Sequence, residues 1–495
     1  MEICLINPAS IFLIDERVFP ALGILKVAAS FELQGAKIDV LDLSGISNWE
    51  DVIKEYFEVN KDFDFIGLTS STPQIAESYK IALGIRNIVP NIKLVLGGPH
   101  ATAMNAAHKS EKKRNIENGR ASIEIEKLLK IFDVLVCGDG ELTLNGILKI
   151  KHGIVDADDR KSELFLTNQQ FTDLPFPNRS LIDLESYHYE IEGHKACSII
   201  LQLGCPFFCQ FCGMRQSPSM RIIRNRTVES AIKEIKELYL TYGYTGYMMF
   251  DDELNVSKSM IELMNSLSDL QMELGVSFKF RGFLKSELTT EEQIIAMKNA
   301  GFTWLLCGFE SANERILKNI QKVATVEDNT RFIELAKKHG LKTKALTSLG
   351  HAGDSHETIE DTKNWLIKME VEDFDATVIT VFGGSPYYDF ATKITDDVYV
   401  YTQKKTGDKL YQKSIDYMTE TNYYKGKPGD YTSFVWTDYI TAEELVKARD
   451  NLESEVRSKL NIPFNLSNPA RKFEHSMGSS RGILPSYILR SSDNK

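Results

Sequence analysis

Three cysteines constrain this chain more than any other feature. Gly204-Cys205-Pro206-Phe207-Phe208-Cys209-Gln210-Phe211-Cys212 spaces its thiols as Cys-x3-Cys-x2-Cys. Thiolates are soft ligands that suit zinc and iron–sulfur clusters. A closed zinc site takes four protein ligands, so a zinc loop would need a distant His or Cys to complete it. A cubane cluster held by three thiolates keeps one iron without a protein ligand. The run follows an apolar stretch, Ser198 to Leu203, which predicts a buried strand. The cysteines then leave a strand end, where parallel α/β folds place their chemistry.

The other cysteines, Cys4, Cys137, Cys197 and Cys307, stand singly in apolar surroundings and read as small buried hydrophobes. An odd count of seven without paired spacing is not a disulfide framework. The net charge of -11 argues against bulk electrostatic binding of nucleic acid. No signal peptide and no run of about 20 apolar residues is present, so a cytoplasmic location and no membrane span are expected.

Before the cysteines, strand and helix patterns alternate. Strands are predicted at Glu2–Asn7, Lys37–Leu43, Asp64–Thr69, Lys93–Gly97 and Asp133–Cys137, which means a doubly wound parallel sheet over 1–150. Its strand ends carry Thr69-Ser70-Ser71-Thr72, Gly97-Gly98-Pro99-His100 and Gly138-Asp139-Gly140-Glu141, at the edge where such sheets bind ligands. The charged stretch Ala106 to Lys127 predicts a solvated helical insertion. Residues 151–190, with Leu174-Pro175-Phe176-Pro177, read as a linker. Six further strand–helix units follow over 191–390, with strands near Ser198–Leu203, Tyr247–Asp251, Ser277–Phe283, Trp304–Gly308, Lys344–Leu349 and Ala376–Val381. The segment 391–495 is rich in tyrosine and lysine and is expected to close the barrel mouth. A helix from Thr441 to Leu460 opens with Thr441 and Glu444 at capping-box spacing, and the residues from Ser476 on read as a mobile tail.

The cysteine loop and the six units strongly resemble the radical S-adenosylmethionine (SAM) enzymes, and the N-terminal third looks like the cobalamin-binding domain that precedes the barrel in one large subfamily. The resemblance implies a Rossmann- or flavodoxin-like domain, a partial (β/α)6 barrel and a C-terminal extension. It implies a [4Fe–4S] cluster on Cys205, Cys209 and Cys212, whose free iron chelates SAM. It implies SAM contacts at Phe207, Asp252, Glu253, Arg281 and Glu310; Asp251 is a rival to Asp252. It implies cobalamin contacts at Ser70, Ser71, Thr72, Gly97, Gly98, Pro99, His100, Gly138, Gly140 and Glu141. The domain lacks the family's Asp-x-His-x-x-Gly motif, so a histidine ligand below cobalt is not expected.

The activity implied is reductive cleavage of SAM to a 5′-deoxyadenosyl radical and hydrogen abstraction from an unactivated carbon, with methyl transfer through cobalamin. Cyclisation or rearrangement without methylation is an alternative. A non-catalytic cobalamin- or metal-binding module is the alternative from another class, and a flavodoxin-like domain without cofactor is the bland reading of the N-terminal third. A flavodoxin- or ferredoxin-type electron donor is the implied partner. The substrate, a small molecule or a peptide, would be specified by the charged insertion and the tail.

Overall fold

The computed structural model describes every residue except Phe12, Ile14, Asp15, Ser47, Met214, 424–430 and 464–495. Within the tyrosine-rich segment, residues 424–430 and the expected tail from Ser476 lie outside the described residues.

The first sheet is parallel throughout. Its strands are β1 (Glu2–Asn7), β2 (Lys37–Asp42), β3 (Phe65–Thr69), β4 (Leu94–Gly97), β5 (Val134–Cys137) and β6 (Gly153–Asp156), in the order β2-β1-β3-β4-β5-β6. Successive side chains point to opposite sides, and both faces are covered and buried. Ile3, Leu5, Phe65, Val95, Val134 and Val136 pack under the helices Leu22–Leu33 and Leu144–Lys149. Cys4, Ile6, Ile66, Leu68, Leu94 and Leu96 pack on the other face, in a core that runs on into the second sheet. The order reverses between β1 and β3, the crevice where such sheets take ligands. The sixth strand comes from the stretch read as a linker, so the sheet extends beyond residue 150.

The second sheet starts with an antiparallel edge strand, β7 (Tyr189–Ile191), beside β8 (His194–Ile199). A short antiparallel ribbon follows, β9 (Gln202–Leu203) with β10 (Arg224–Asn225). Then come β11 (Gly246–Met249), β12 (Lys279–Leu284), β13 (Phe302–Glu310), β14 (Lys342–Leu349) and β15 (Asp373–Val378). The order β15-β14-β13-β12-β11-β8-β7 makes a curled half-barrel of six parallel strands. The predicted strand Ser198–Leu203 is broken. Asp251, fully buried, accepts the Leu201 amide at 3.1 Å, and Gln202-Leu203 peels away to pair with Arg224-Asn225.

The open edge of β15 is covered. Helix Ala442–Leu460, opened by the Thr441–Glu444 capping box, lays Arg449 Nε 3.1 Å from the Ala376 carbonyl and Arg457 Nη2 3.2 Å from that of Phe374. Exposed edges invite pairing with other chains, and a helix over the edge prevents it. A four-stranded antiparallel sheet completes this end: β16 (Thr392–Lys393), β17 (Val398–Thr402), β18 (Lys409–Lys413) and β19 (Val435–Thr437).

The charged insertion is not a solvated helix. It forms the helices Pro99–Lys113 and Arg120–Leu129, and its charges bond inward. The buried Glu111 carboxylate accepts the Ala121 and Ser122 amides, each at 2.9 Å. Arg120 donates to the Tyr388 carbonyl at 2.6 Å and lies 3.8 Å from the ring centres of Tyr388 and Tyr399. Lys127 pairs with Asp416 at 3.0 Å. These contacts tie the first domain to the far end of the barrel and to the C-terminal sheet.

Candidate functional site

The cysteine loop is held at its ends by backbone. Gly204 sits at φ +87°, and a Cβ there would fall 2.3 Å from the Ile222 carbonyl oxygen, so only glycine fits. Cys205 N donates to Met220 O at 3.0 Å, and Gln210 N to Ile320 O at 2.8 Å. Asp158, just past β6, accepts Ser217 Oγ at 2.7 Å and Ser219 N at 2.8 Å. The first domain therefore anchors the chain that follows the cysteines. Cys205, Cys209 and Cys212 are half-buried, whereas Cys4, Cys137, Cys197 and Cys307 are buried. Burial pushes the Cys205 thiol up to about 12. Burial also raises Cys209, against the pull of Lys322 and Lys285. A bound metal centre deprotonates such thiols outright.

Among the described residues, no three His, Cys, Asp or Glu side chains form a closed metal-ligand group. The fit of the loop to an iron–sulfur cluster rests on its donors: three soft thiols with cationic neighbours on a backbone fixed at both ends.

Strand ends surround the loop with charge. After β11, Asp251 turns to the Leu201 amide and serves the strand break, and burial raises it to about 7. Asp252 faces the space between the domains; burial lifts it to about 6 against the Gly204 amide and Arg224. Burial lifts Glu253 to about 7, with Lys322 and Lys285 pulling it down. Lys285, just beyond β12, pairs with Glu287 at 2.5 Å and lies 4.0 Å from the centre of the Phe207 ring.

Glu310 ends β13 at φ +63°, where the register with β14 shifts. A left-handed non-glycine residue at a bulge is strained and re-aims its side chain. Glu310 Oε1 lies 3.1 Å from Lys322 Nζ, and Oε2 accepts Ser348 Oγ at 2.7 Å. Burial works to raise this carboxyl, yet Lys322, Ser348 and His351 hold it below the usual carboxylate range. Ser348 spends its one proton on Glu310, so the His351 Nε2, 2.8 Å away, is the donor in that contact. His351 is fully buried, and burial pushes its imidazole down to about 4.

A cavity of about 440 Å³ opens between the two sheets. Thr69, Gly97, Gly98, Pro99, Gly138, Gly140 and Glu141 line one side; Leu203, Gly204, Met220, Arg224, Phe250 and Asp252 line the other. An ion pair, Asp139 with Arg224, bridges the two sides. Burial, with Asp139 beside it, raises Glu141 to about 7. Gly98 and Gly138 lie at φ +95° and +96°, and a Cβ on either would fall within 2.7 Å of backbone. A concave, mostly apolar space with a few polar groups at the carboxyl ends of a parallel sheet suits a large cofactor.

The structure thus brings together Cys205, Cys209, Cys212, Phe207, Asp252, Glu253 and Glu310. It gathers Gly97, Gly98, Pro99, Gly138, Gly140 and Glu141 around the cavity. It leaves others apart. Arg281 lies within β12, not at its end. It donates to the Tyr189 hydroxyl at 2.8 Å, and its charge acts on Asp373, the first residue of β15. That is the opposite end of the barrel from the cysteine loop. Ser70, Ser71, Thr72 and His100 are not among the residues lining the cavity. Ser71 caps the turn at Gln74, and buried His100 meets Thr72 Oγ1 through Nδ1 at 3.1 Å. Lys285, Lys322 and Ser348 went unread in the sequence. A lysine twelve residues beyond Glu310 gives no periodic signal, and only the fold closes that distance.

Comparison with known proteins decides the family. The radical SAM superfamily model matches residues 199–366, and the B12 binding domain model matches residues 16–114. The chain belongs to the cobalamin-binding radical SAM enzymes. SAM and a [4Fe–4S] cluster go with the first domain type, cobalamin with the second.

This radical SAM enzyme is 25% identical over 349 residues to an uncharacterized methyltransferase of Pyrococcus horikoshii, covering 67% of this chain and 70% of the relative. It is 26% identical over 352 residues to an anaerobic magnesium-protoporphyrin IX monomethyl ester cyclase of Rubrivivax gelatinosus, covering 68% of this chain and 60% of the relative. Its fold is shared with the radical SAM methyltransferase TsrM of Kitasatospora setae, solved with cobalamin and a [4Fe–4S] cluster bound. That match has a TM-score of 0.61 at 15% identity and covers 92% of this chain and 88% of the other. The cobalamin-dependent radical enzyme OxsB, with aqua-cobalamin bound, gives 0.58 at 15% identity, over 78% and 55%. Among the described residues, no helix is long and apolar enough to cross a membrane.

Proposed function

We propose that this enzyme abstracts hydrogen from an unactivated carbon and transfers a methyl group to it. The observation that carries the reading is the shared cavity. Glycine turns of the cobalamin-binding sheet and the approach to the cysteine loop, Gln202 to Gly204, line one space. When bound, the cluster and SAM supply the organic radical and cobalamin supplies the methyl carrier; the protein's share is binding, orientation and exclusion of water.

Cys205, Cys209 and Cys212 would hold the cluster. Glu253 and Glu310 offer carboxylates for the SAM amino group, and Phe207 offers an apolar wall beside them. Lys322 keeps Glu310 ionised, so that acid remains an acceptor across the working pH range. Asp252 faces the cavity from the barrel side. Leu22, Val27, Phe250 and Met220 make its walls apolar, which strengthens every electrostatic contact inside. An electron donor of the flavodoxin or ferredoxin type completes the reading.

A second reading, ring formation without methylation, is favoured by the relatives named as cyclases. Methyl-deuterated SAM separates the two. The reconstituted enzyme, loaded with hydroxocobalamin and given reductant, should place the deuterated methyl on cobalamin, read by mass spectrometry. Cleavage of SAM with no label on cobalamin supports the cyclase reading instead.

A further inference from the structure

The cysteine loop carries an outward face that the site described above does not use. Phe208 is 48% exposed. It is the one exposed large apolar side chain between Gly204 and Cys212 and is bonded directly to Cys209. Two guanidinium groups flank its ring, Arg215 at 3.7 Å and Arg221 at 4.4 Å from the centroid. Neither arginine has a carboxylate partner among the described residues; Arg221 donates to the neutral Pro206 carbonyl at 3.1 Å. Their neighbours in sequence differ. Arg224 is paired with Asp139 and Arg226 with Glu234. Phe208, Arg215 and Arg221 are also absent from the lining of the interdomain cavity.

The geometry points to this face as the docking surface for an acidic one-electron carrier protein. The inference rests on the reading that the loop holds a cluster reduced from outside. A chain of net charge -11 repels an acidic partner overall. Two unpaired cations beside an exposed aromatic then steer it to one place, and arginine and aromatic side chains are the residue types that anchor interfaces. The carrier is oxidised by one electron and the cluster is reduced by one; no atoms are transferred.

The test uses the reconstituted holoenzyme and a reduced acidic FMN flavodoxin as probe. Binding is measured anaerobically by calorimetry at low and at physiological salt. Arg215→Glu and Arg221→Glu should each weaken the carrier's Kd by about tenfold, and the pair together should flatten its salt dependence. Arg215→Gln and Arg221→Gln should act in the same direction but less, and Phe208→Ser should weaken Kd without changing the salt slope. Iron content and dithionite-driven SAM cleavage should remain at the wild-type level throughout. An unchanged Kd in all five single variants and in the double variant overturns the proposal. So does a joint fall in SAM affinity and dithionite-driven cleavage, which would place these side chains in the SAM site. A wild-type protein that holds no cluster, or that cleaves no SAM with dithionite, overturns the radical SAM reading and the docking proposal with it.

Discussion

Lys322 Nζ lies 3.1 Å from Glu310 Oε1, and the two side chains are only 6% and 13% exposed. This pair joins the strained end of β13 to the segment that follows the helix Glu314–Asn319. It sets the charge beside Cys209, which feels both partners. Removing one member of such a pair leaves the other charge buried and unpaired, at a cost on the order of 3 kcal/mol.

Glu310→Gln should therefore destabilise the protein and weaken SAM binding, by roughly ten- to a hundredfold for a lost charge-assisted contact, with the cluster retained. The double variant Glu310→Gln/Lys322→Met should recover stability without recovering SAM affinity. Anaerobic equilibrium dialysis with SAM, beside chemical denaturation, reads both. Wild-type SAM affinity in Glu310→Gln would remove this residue from the SAM site.

The two kinds of carboxylate predict opposite pH behaviour. Glu310 is held below its ordinary value of 4.5. Its stabilising contribution is complete above that pH and is lost as pH falls below it. Asp251 is raised from 3.8 to about 7. Its contribution is complete below about 4 and is lost as pH rises through 7, at up to about 1.4 kcal/mol per unit. Asp251→Asn keeps an acceptor for the Leu201 amide and removes the charge, so it should be more stable than wild type at pH 8. Denaturation curves from pH 4 to pH 8 with the same slope in both proteins would contradict the assignment.

Gly98→Ala should cost about 1–3 kcal/mol in backbone strain and lower cobalamin retention, because its Cβ would meet Ser70 N at 2.7 Å. Gly84→Ala is the control. It lies inside the helix Ile75–Ile88 with nothing within 4 Å of the new Cβ, and should stabilise by roughly 0.5–1 kcal/mol. Thermal melts and cobalamin absorbance after gel filtration compare the two. Full retention of cobalamin by Gly98→Ala would place the cofactor elsewhere.

His100 is fully buried against Thr72 and Tyr417, outside the cavity lining. Cobalt in the bound cofactor should therefore carry no histidine below it. Electron paramagnetic resonance of the cob(II)alamin form should be the same in wild type and in His100→Ala, with no nitrogen superhyperfine splitting that depends on His100. Splitting that disappears in His100→Ala would reverse this placement.

Much of this architecture was legible in the chain. Apolar runs ending in Thr69, Gly97 and Cys137 announced the first sheet, and the cysteine spacing announced the loop. What escaped depends on contacts distant in sequence. The predicted strand through Leu203 broke because Asp251, fifty residues on, takes the Leu201 amide. Arg281 is the fifth residue of the apolar run Ser277–Phe283, but β12 starts only at Lys279 and runs to Leu284, which leaves Arg281 low in the barrel. The charged insertion looked solvated because its partners, Tyr388, Gln412 and Asp416, lie more than 250 residues away. Local pattern reports burial and period; it does not report which charges the fold will bring together.

Reductive cleavage of SAM tests the central claim most directly. The protein is reconstituted anaerobically with iron and sulfide, given SAM and dithionite, and assayed for 5′-deoxyadenosine and methionine. Wild type should bind about four irons per chain and release both products in equal amounts. Cys205→Ala, Cys209→Ala and Cys212→Ala should each lose cluster and products, while Cys137→Ala and Cys307→Ala keep both. A wild-type protein replete in iron that forms no 5′-deoxyadenosine, or an iron loss in Cys307→Ala equal to that in Cys209→Ala, would contradict the account.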